Sequence, residues 1–265
     1  MPARAIGARI GLASAAANPL SLVKTQRPLL TAEWRYLAML NFAADPALLA
    51  AYVPEGTQLD SWRGRTYLSV VGFLFLQTRV LGVPVPLHRT FERVSLRFYV
   101  RRRVGERWRR GVVYIDEIVP RSAVALVARA LYNRPSRTLP MRHHIEVGCD
   151  MLREGGKVEY GWQHRDHWSS LRAEPVGAPQ PLTPGSEAEF IAEHYWGYTR
   201  QRDGGTFEYA VEHPPWRVWP VRAASLDADV RSLFGAAFVE ALDAAPCSAF
   251  VADGSPIRVR AGARL

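Results

Sequence analysis

The polar residues best suited to chemistry in this sequence lie between positions 88 and 97. His88, Glu92 and Arg97 flank the start of a predicted strand, VSLRFYVRRR, and offer an imidazole, a carboxylate and a guanidinium group. Arginine can hold a carboxylate through two hydrogen bonds, while His88 or Glu92 could donate or accept a proton. This combination suits the binding of a small carboxylate or carbonyl compound. The alternative is an ordinary ion pair at the end of a strand.

A second polar group, Glu193 and His194, lies in the string EHYWGYT, on a short predicted helix and its exit. These side chains either line a pocket or pack among aromatic residues, and burying them without a role would be costly. The histidines show neither HxH nor HExxH spacing, so no metal site is predicted. Because a GxSxG elbow and a phosphate-binding glycine loop are also missing, no cofactor is expected.

Lysine is nearly absent from the chain. Lys24 and Lys157 are the only lysines among 34 basic residues, so arginine carries almost all of the positive charge. Lys24 falls in an alanine-rich N-terminal segment, and Lys157 follows two glycines in a predicted turn. Chemistry that requires a nucleophilic amine is therefore restricted to two unpromising positions.

Composition excludes some classes of protein and leaves others open. With 265 residues and 48% hydrophobic residues, the chain can bury a large core. The net charge of +9 does not identify a partner. Six arginines crowd a predicted hairpin tip around Val104-Gly105-Glu106, and they either bind phosphate groups or form a solvated hairpin end. Aromatic residues do not alternate with them, so no nucleic-acid partner is predicted.

The two ends of the chain differ in character. Residues 1–30 are predicted to be a flexible N-terminal extension, because their apolar run is too sparse for a secretory signal. Residues 31–265 are predicted to form one domain in the cytoplasm, without a membrane partner, since no stretch reaches the length of a membrane span. Cys149 and Cys247 are too few for a disulfide framework and are expected to be buried thiols. A homo-oligomer is left open.

The elements that must position the polar residues are mostly strands. The strings WRYLAMLNF, RTYLSVVGFLFLQTRV and RWRRGVVYIDEIV predict strands, and Asp45-Pro46 predicts the start of a short helix. A helix is predicted at 121–133, a capping box at Ser186 and Glu189, and an amphipathic helix from Ser225 to about Ala244. A final hairpin is predicted to turn at Asp253-Gly254.

Several strings together resemble a known family. In chain order they are WRYLAMLNF, VPEGTQLD, TYLSVVGFLF, NRPSRTLPMRH, FIAEHYWGYT, EYAVEHPPWRVW and SAFVADGS. They resemble the YqjF-like family of uncharacterised bacterial proteins from about Thr31 to Val259. That family is similar, more remotely, to the acetoacetate decarboxylase superfamily. The resemblance implies a mainly β (α+β) fold, a closed antiparallel β-barrel with a few short covering helices.

The remote resemblance also indicates where chemistry would be placed. In that superfamily a Schiff-base lysine follows a proline after a helix, and a second lysine follows it. Here Pro135 takes the place of the proline, so Ser136 and Arg137 stand at the two lysine positions. Arg35 matches an arginine that helps to hold the substrate carboxylate.

The expected function is the binding of a small anionic or carbonyl ligand, without acetoacetate decarboxylation. Whether the protein is an enzyme is left open. The alternative is a non-catalytic structural or regulatory protein.

Overall fold

The computed structural model describes residues 27–85, 89–121, 135–147, 152–153 and 155–265. His88, nearly all of the helix predicted at 121–133 and most of the predicted N-terminal extension lie outside these described residues. The expectations for them stay predictions.

The frame of the molecule is built from long, strongly apolar strands of 12 to 14 residues. The strands within the described residues are β1 (Leu30–Ala43), β2 (Gln58–Leu59), β3 (Tyr67–Val80), β4 (Val83–Pro84), β5 (Phe91–Val104), β6 (Arg107–Val119), β7 (Arg137–Thr138), β8 (Met141–Ile145), β9 (Val158–His164), β10 (His167–Pro175), β11 (Gln180–Pro181), β12 (Trp196–Arg200), β13 (Thr206–Glu212), β14 (Arg217–Asp227), β15 (Ser248–Val259) and β16 (Ala263–Arg264).

Short helices connect some of these strands. They are α1 (Pro46–Ala50), α2 (Glu187–Ala192), α3 (Val230–Leu233), a 3₁₀ segment (Ala236–Phe238) and α4 (Val239–Leu242). Not one helix in the described part of the chain is long and apolar enough to cross a membrane. The prediction of a mainly β fold is confirmed.

One sheet contains all of the strands. Its hydrogen-bonded order is β16-β13-β12-β6-β5-β3-β1-β15-β14-β10-β9-β8, and β2, β4, β7 and β11 pair alongside β5, β3, β6 and β14. Most neighbours are antiparallel, but β6 pairs in parallel with β12 and β7. Strand β13 pairs with β15 as well as β12, joining Val211 to Val259 and Glu212 to Arg258.

The central strands are buried on both faces, and their alternation separates two cores. On β5, Phe91 and Tyr99 join a core rich in aromatic rings, whereas Leu96 and Phe98 join a more aliphatic core. We call the side of β1, β3, β5 and β6 that carries Phe91 and Tyr99 the aromatic face, and the side that carries Leu96 and Phe98 the aliphatic face. Strands β8, β9, β10 and β14 supply much of the cover over the aliphatic face.

Local predictions about helix starts are confirmed. The side chain of Asp45 accepts a hydrogen bond from the amide of Ala47, and Pro46 opens α1. The hydroxyl of Ser186 accepts a hydrogen bond from the amide of Glu189 at the start of α2, as the predicted capping box requires, but the carboxylate of Glu189 accepts from the amide of Gly185 and not from that of Ser186. These caps depend on residues adjacent in sequence, so the sequence could predict them.

Three other predictions are wrong. The region from Ser225 to Ala244 is not one helix, because β14 continues to Asp227 against β10 and Gly235, at φ +102°, separates the short helical segments. No hairpin turns at Gly254, which lies within the continuous β15. A β-carbon there would lie 2.0 Å from the carbonyl oxygen of Trp34, so glycine allows the close approach of β1. Cys247 is exposed rather than buried, and Cys149 lies outside the described residues.

The arginine-rich hairpin turns at Gly105-Glu106 as predicted, and several of its charges are paired. Arg102 and Arg109 both bind the carboxylate of Glu208 on β13, at 2.8 and 2.6 Å. Arg110 binds Asp60 at 2.9 Å. These pairings favour the interpretation as a structural hairpin end, and the absence of a nucleic-acid partner stays a prediction.

Candidate functional site

The structure does not bring Glu92 and Arg97 together. They lie five residues apart on β5, in a stretch where the pairing with β3 is regular, so their side chains point to opposite faces. Glu92 lies on the aliphatic face and Arg97 on the aromatic face. The period of two was visible in the sequence and would have indicated this separation.

On the aliphatic face, three predicted site residues occupy neighbouring rows. Arg35 pairs with Leu74, which pairs with Glu92, so the three form one row across β1, β3 and β5. At the ordinary spacing of strands, Arg35 and Glu92 are about 10 Å apart along this row. The adjacent row ends in Arg137, which pairs with Ile118 of β6. We call Arg35, Glu92 and Arg137 with the side chains around them the aliphatic-face site.

Glu92 is the carboxylate of this site. Its Oε1 lies 2.6 Å from Nδ1 of His143 on β8, and its side chain is only 16% exposed. The hydrogen bond with His143 lowers the pKa of Glu92, although burial opposes the decrease. Glu92 is therefore ionised near neutral pH and can accept a proton.

Tyr160 lies beside Glu92 and was not predicted as a site residue. Its ring is fully buried against Gly72, where a β-carbon would lie 2.5 Å from Cδ2 of the ring. Its hydroxyl donates a hydrogen bond of 2.8 Å to the carbonyl of Tyr36, which lies in a bulge of β1 at φ +55°. Burial, with a smaller contribution from Glu92, raises the pKa of Tyr160 well above its ordinary value. Tyr160 thus stays protonated.

The two guanidinium groups of the site are partly exposed. Arg35 donates from Nε and Nη2 to Glu33, at 3.0 and 2.9 Å, and its side chain is 34% exposed. Arg137 donates from Nε to Oδ2 of Asp116 at 2.5 Å and is 45% exposed. Because a guanidinium has five N–H donors, both arginines retain donors for a ligand.

Ser136 is separated from Arg137 despite being adjacent in sequence. Ser136 is buried, with 3% exposure. Because Arg137 pairs with Ile118 in parallel strands, the preceding residues Ser136 and Glu117 are also neighbours. Glu117 pairs with Ser95 and therefore faces the aromatic side of the sheet. The pair predicted from the resemblance is divided between the two faces.

Arg97 and His194 meet on the aromatic face. They line a small cavity of about 20 Å³ together with Trp34, His213 and Trp216. Burial lowers the pKa of His194 well below its ordinary value, and the positive charges of Arg110 and Arg97 lower it further. Burial also lowers the pKa of His213 to about 4. Both imidazoles are therefore neutral near pH 7.

Glu193 lies next to this cavity but does not line it. The short helix on which Glu193 was predicted ends one residue earlier, at Ala192, and Trp196 already belongs to β12. The carboxylate of Glu193 accepts a hydrogen bond from the hydroxyl of Tyr195, and burial raises the pKa of Glu193. Tyr195 in turn stacks on His213, at 4.7 Å between ring centroids.

The family DUF2071, described as "Uncharacterized conserved protein", matches residues 31–256. The chain belongs to the DUF2071 family. It is 24% identical over 187 residues to the "Uncharacterized protein YqjF" of Bacillus subtilis, covering 69% of this chain and 72% of that protein. The predicted resemblance is confirmed.

Solved structures show the fold that this DUF2071 protein shares. An acetoacetate decarboxylase-like enzyme from Sphingomonas wittichii has a TM-score of 0.62 at 16% identity, covering 96% of this chain and 99% of that one. Acetoacetate decarboxylase from Legionella pneumophila has a TM-score of 0.61 at 12% identity, with 96% and 98% covered. The enduracididine biosynthesis enzyme MppR, complexed with pyruvate, has a TM-score of 0.61 at 10% identity, with 97% and 98% covered.

Ser136 and Arg137 occupy the two positions that the decarboxylase resemblance gives to lysines in this DUF2071 protein. Among the described residues Lys157 is the one lysine, and its Nζ lies 2.5 Å from a carboxylate oxygen of Glu159. It lies in the segment just before β9, far in sequence from the Ser136 position. The described residues also contain no group of three or more histidine, cysteine or acidic side chains placed to hold a metal ion.

Proposed function

We propose that this DUF2071 protein binds a small organic acid or carbonyl compound at the aliphatic-face site. The observation that carries the proposal is the placement of Arg35, Glu92 and Arg137 in adjacent rows of one face. Two cations with remaining donors and one ionised carboxylate form a polar patch at the end of an otherwise aliphatic face. A ligand pocket commonly has this character, with a few polar groups among apolar walls.

Each side chain has a separate role in the proposal. Arg137 and Arg35 bind the anionic or carbonyl oxygen atoms of the ligand through their free N–H groups. Glu92, held by His143, accepts a proton from the ligand or orients it. Tyr160 keeps the β1 bulge in place, which sets the direction of Arg35.

The comparisons support this class of ligand. MppR has the same fold and is complexed with pyruvate, a small keto acid. Ser136 and Arg137 occupy the lysine positions of the decarboxylase resemblance, so the proposal excludes acetoacetate decarboxylation through an imine at that place. A fold alone does not define a reaction, and we propose binding without naming one.

The proposal includes a closed β-barrel. Strand β13 pairs with β12 on one edge and with β15 on the other, which supports closure through β12, β6, β5, β3, β1 and β15. The bidentate pair of Arg260 and Glu212, with both distances at 2.9 Å, lies beside the junction of β13 and β15. Closure would remove two sheet edges and fix the rows that hold Arg35 and Glu92.

A thermal-shift screen tests the function. The purified chain is mixed with a library of carboxylates and keto acids, including pyruvate, at constant chloride and pH. We expect at least one member to raise the melting temperature, by about 3 to 6 °C at ten times its Kd. Arg137→Met and Glu92→Gln should reduce this rise in melting temperature. Arg35→Ala should reduce it less, because two N–H donors of Arg35 are already bound to Glu33.

Arg222→Ala is the matched control, because Arg222 is an exposed, ion-paired arginine on β14 away from the site. It should leave the ligand effect unchanged. If no library member stabilises the wild-type chain, the binding proposal is wrong, and the result favours the alternative of a non-catalytic structural or regulatory protein. Borohydride treatment with pyruvate should leave the chain unmodified, and an adduct on Lys157 would contradict the exclusion of imine chemistry.

A further inference from the structure

Three buried arginines differ in how their charge is balanced. Arg93, Arg97 and Arg260 are 5%, 6% and 8% exposed. Arg93 forms an ion pair with Glu117, and Arg260 forms one with Glu212. Within the described parts of the chain, Arg97 has no carboxylate at ion-pair distance. The side chain of Arg97 makes one hydrogen bond to a described residue, from Nη2 to the sulfur of Met39 at 3.7 Å.

A buried guanidinium without a counter-charge is costly, because the low-polarity interior solvates it poorly. Arginine does not escape this cost by losing its proton, since its intrinsic pKa is too high. The ring of Tyr99, 5.8 Å from the guanidinium carbon, offers only a weak partial compensation. A bound anion would therefore stabilise the buried charge of Arg97.

The cavity beside Arg97 offers hydrogen-bond donors and no acid. Among the buried nitrogens that line it, Nε of Arg97 and Nε1 of Trp34 have no hydrogen-bond partner within the described residues, and the ring of His194 contacts the Ile191 backbone. An arginine Nε and an indole nitrogen only donate, whereas a neutral histidine donates from one ring nitrogen and accepts at the other, so His194 suits an anion in the tautomer that turns its N–H towards the cavity. No aspartate or glutamate is among the lining residues. The cavity is thus complementary to negative charge.

The size of the cavity restricts the anion. A volume of about 20 Å³ is room for about one water-sized particle. A carboxylate or phosphate group has three or more heavy atoms and does not fit without rearrangement. Water would fill the space but would leave the charge of Arg97 unbalanced.

We propose that Arg97, Trp34 and His194 form a buried site for a single halide ion, with chloride as the natural occupant. This site is on the opposite face of the sheet from the aliphatic-face site and does not depend on it. His213 lines both the cavity and an open groove of about 630 Å³. In this proposal the ion enters past His213, from a groove whose lining carries Arg79, Arg258 and Arg260 as well as Glu33 and Glu212.

The test measures melting temperature in halide-free buffer during a titration with sodium chloride. Sodium gluconate is exchanged for chloride so that ionic strength stays constant. We expect a saturable rise of about 3 to 6 °C at ten times the Kd of chloride. Bromide should act similarly. Arg97→Met should abolish the rise, while the control Arg172→Met, at an exposed arginine of β10, should retain it.

Trp34→Phe keeps the aromatic packing and removes one donor, so it remains informative if Arg97→Met does not fold. It should raise the chloride concentration at half-effect by about 10- to 100-fold, as expected for one hydrogen bond to a charged group. Crystals grown in bromide should show an anomalous peak in the cavity. No saturable chloride effect in the wild type, an unchanged effect in Trp34→Phe, or an empty cavity in bromide would each overturn the proposal.

Discussion

Breaking the buried ion pair between Arg93 and Glu117 should lower the stability of the protein by an amount that can be estimated from its burial. The two side chains are 6% and 2% exposed, on the aromatic face of β5 and β6. The guanidinium of Arg93 also lies 4.7 Å from the ring centre of Tyr114. Replacing Glu117 with leucine removes the counter-charge and leaves Arg93 in an apolar environment.

The expected cost follows from this burial. Breaking a buried pair by removing one partner typically destabilises a protein by about 3 to 5 kcal/mol. At roughly 2 to 4 °C per kcal/mol for a domain of this size, Glu117→Leu should lower the melting temperature by about 6 to 20 °C. Arg93→Met should cost a similar amount. The double variant should lose far less unfolding free energy than the sum of the losses in the two single variants, because it buries no unpaired charge.

Urea denaturation of the four proteins, followed by tryptophan fluorescence, gives the coupling energy of the pair. The matched control is the exposed pair of Arg222 and Glu174, for which the coupling should stay below about 1 kcal/mol. Additive effects of Arg93→Met and Glu117→Leu would refute the reasoning. They would mean that each charge has another source of compensation.

Two further predictions concern the aliphatic-face site. Tyr160→Phe removes the hydrogen bond to the carbonyl of half-buried Tyr36 and should cost about 0.5 to 1.5 kcal/mol in urea denaturation. No loss would show that the β1 bulge does not need this bond. Glu92 has a pKa below its ordinary value of 4.5, so its contribution to stability is present above that pH and is lost as pH falls through the folded-state pKa. The difference in melting temperature between wild type and Glu92→Gln should therefore be present at pH 6 and shrink below about pH 4.5. A difference that does not change with pH would contradict a stabilising role for the pair of Glu92 and His143.

Features that depend on neighbouring residues in the sequence were predictable. The cap at Asp45, the hairpin at Gly105 and the strand character of β1, β3, β5 and β6 follow from residue type and periodicity. The single helix predicted from Ser225 failed for two reasons: pairing with β10 keeps residues 225–227 in a strand, and Gly235 at φ +102° divides the rest into short helical segments. Local preference is weak enough for such a tertiary contact to override it.

The candidate site was predictable only in part. The resemblance to the decarboxylase superfamily indicated Arg35, and residue chemistry indicated Glu92 and His194. Tyr160 was missed, because its role depends on a bulge of β1 that only the pairing with β3 reveals. The cavity at Arg97 was also missed as a separate site, since its lining comes from five distant strands and the segments between them.

The amino-acid sequence alone determined the residue inventory and the alternation along each strand. Through the resemblance it indicated that Ser136 and Arg137 take the lysine positions of that superfamily, and its period of two shows that Glu92 and Arg97 differ in phase. The tertiary structure decided which side chains meet, because cross-strand register and bulges set that choice. A bulge adds one residue to one strand and changes which residues share a face beyond it. The bulge in β6 illustrates this, since it sends Asp116 towards Arg137 and Glu117 towards Arg93.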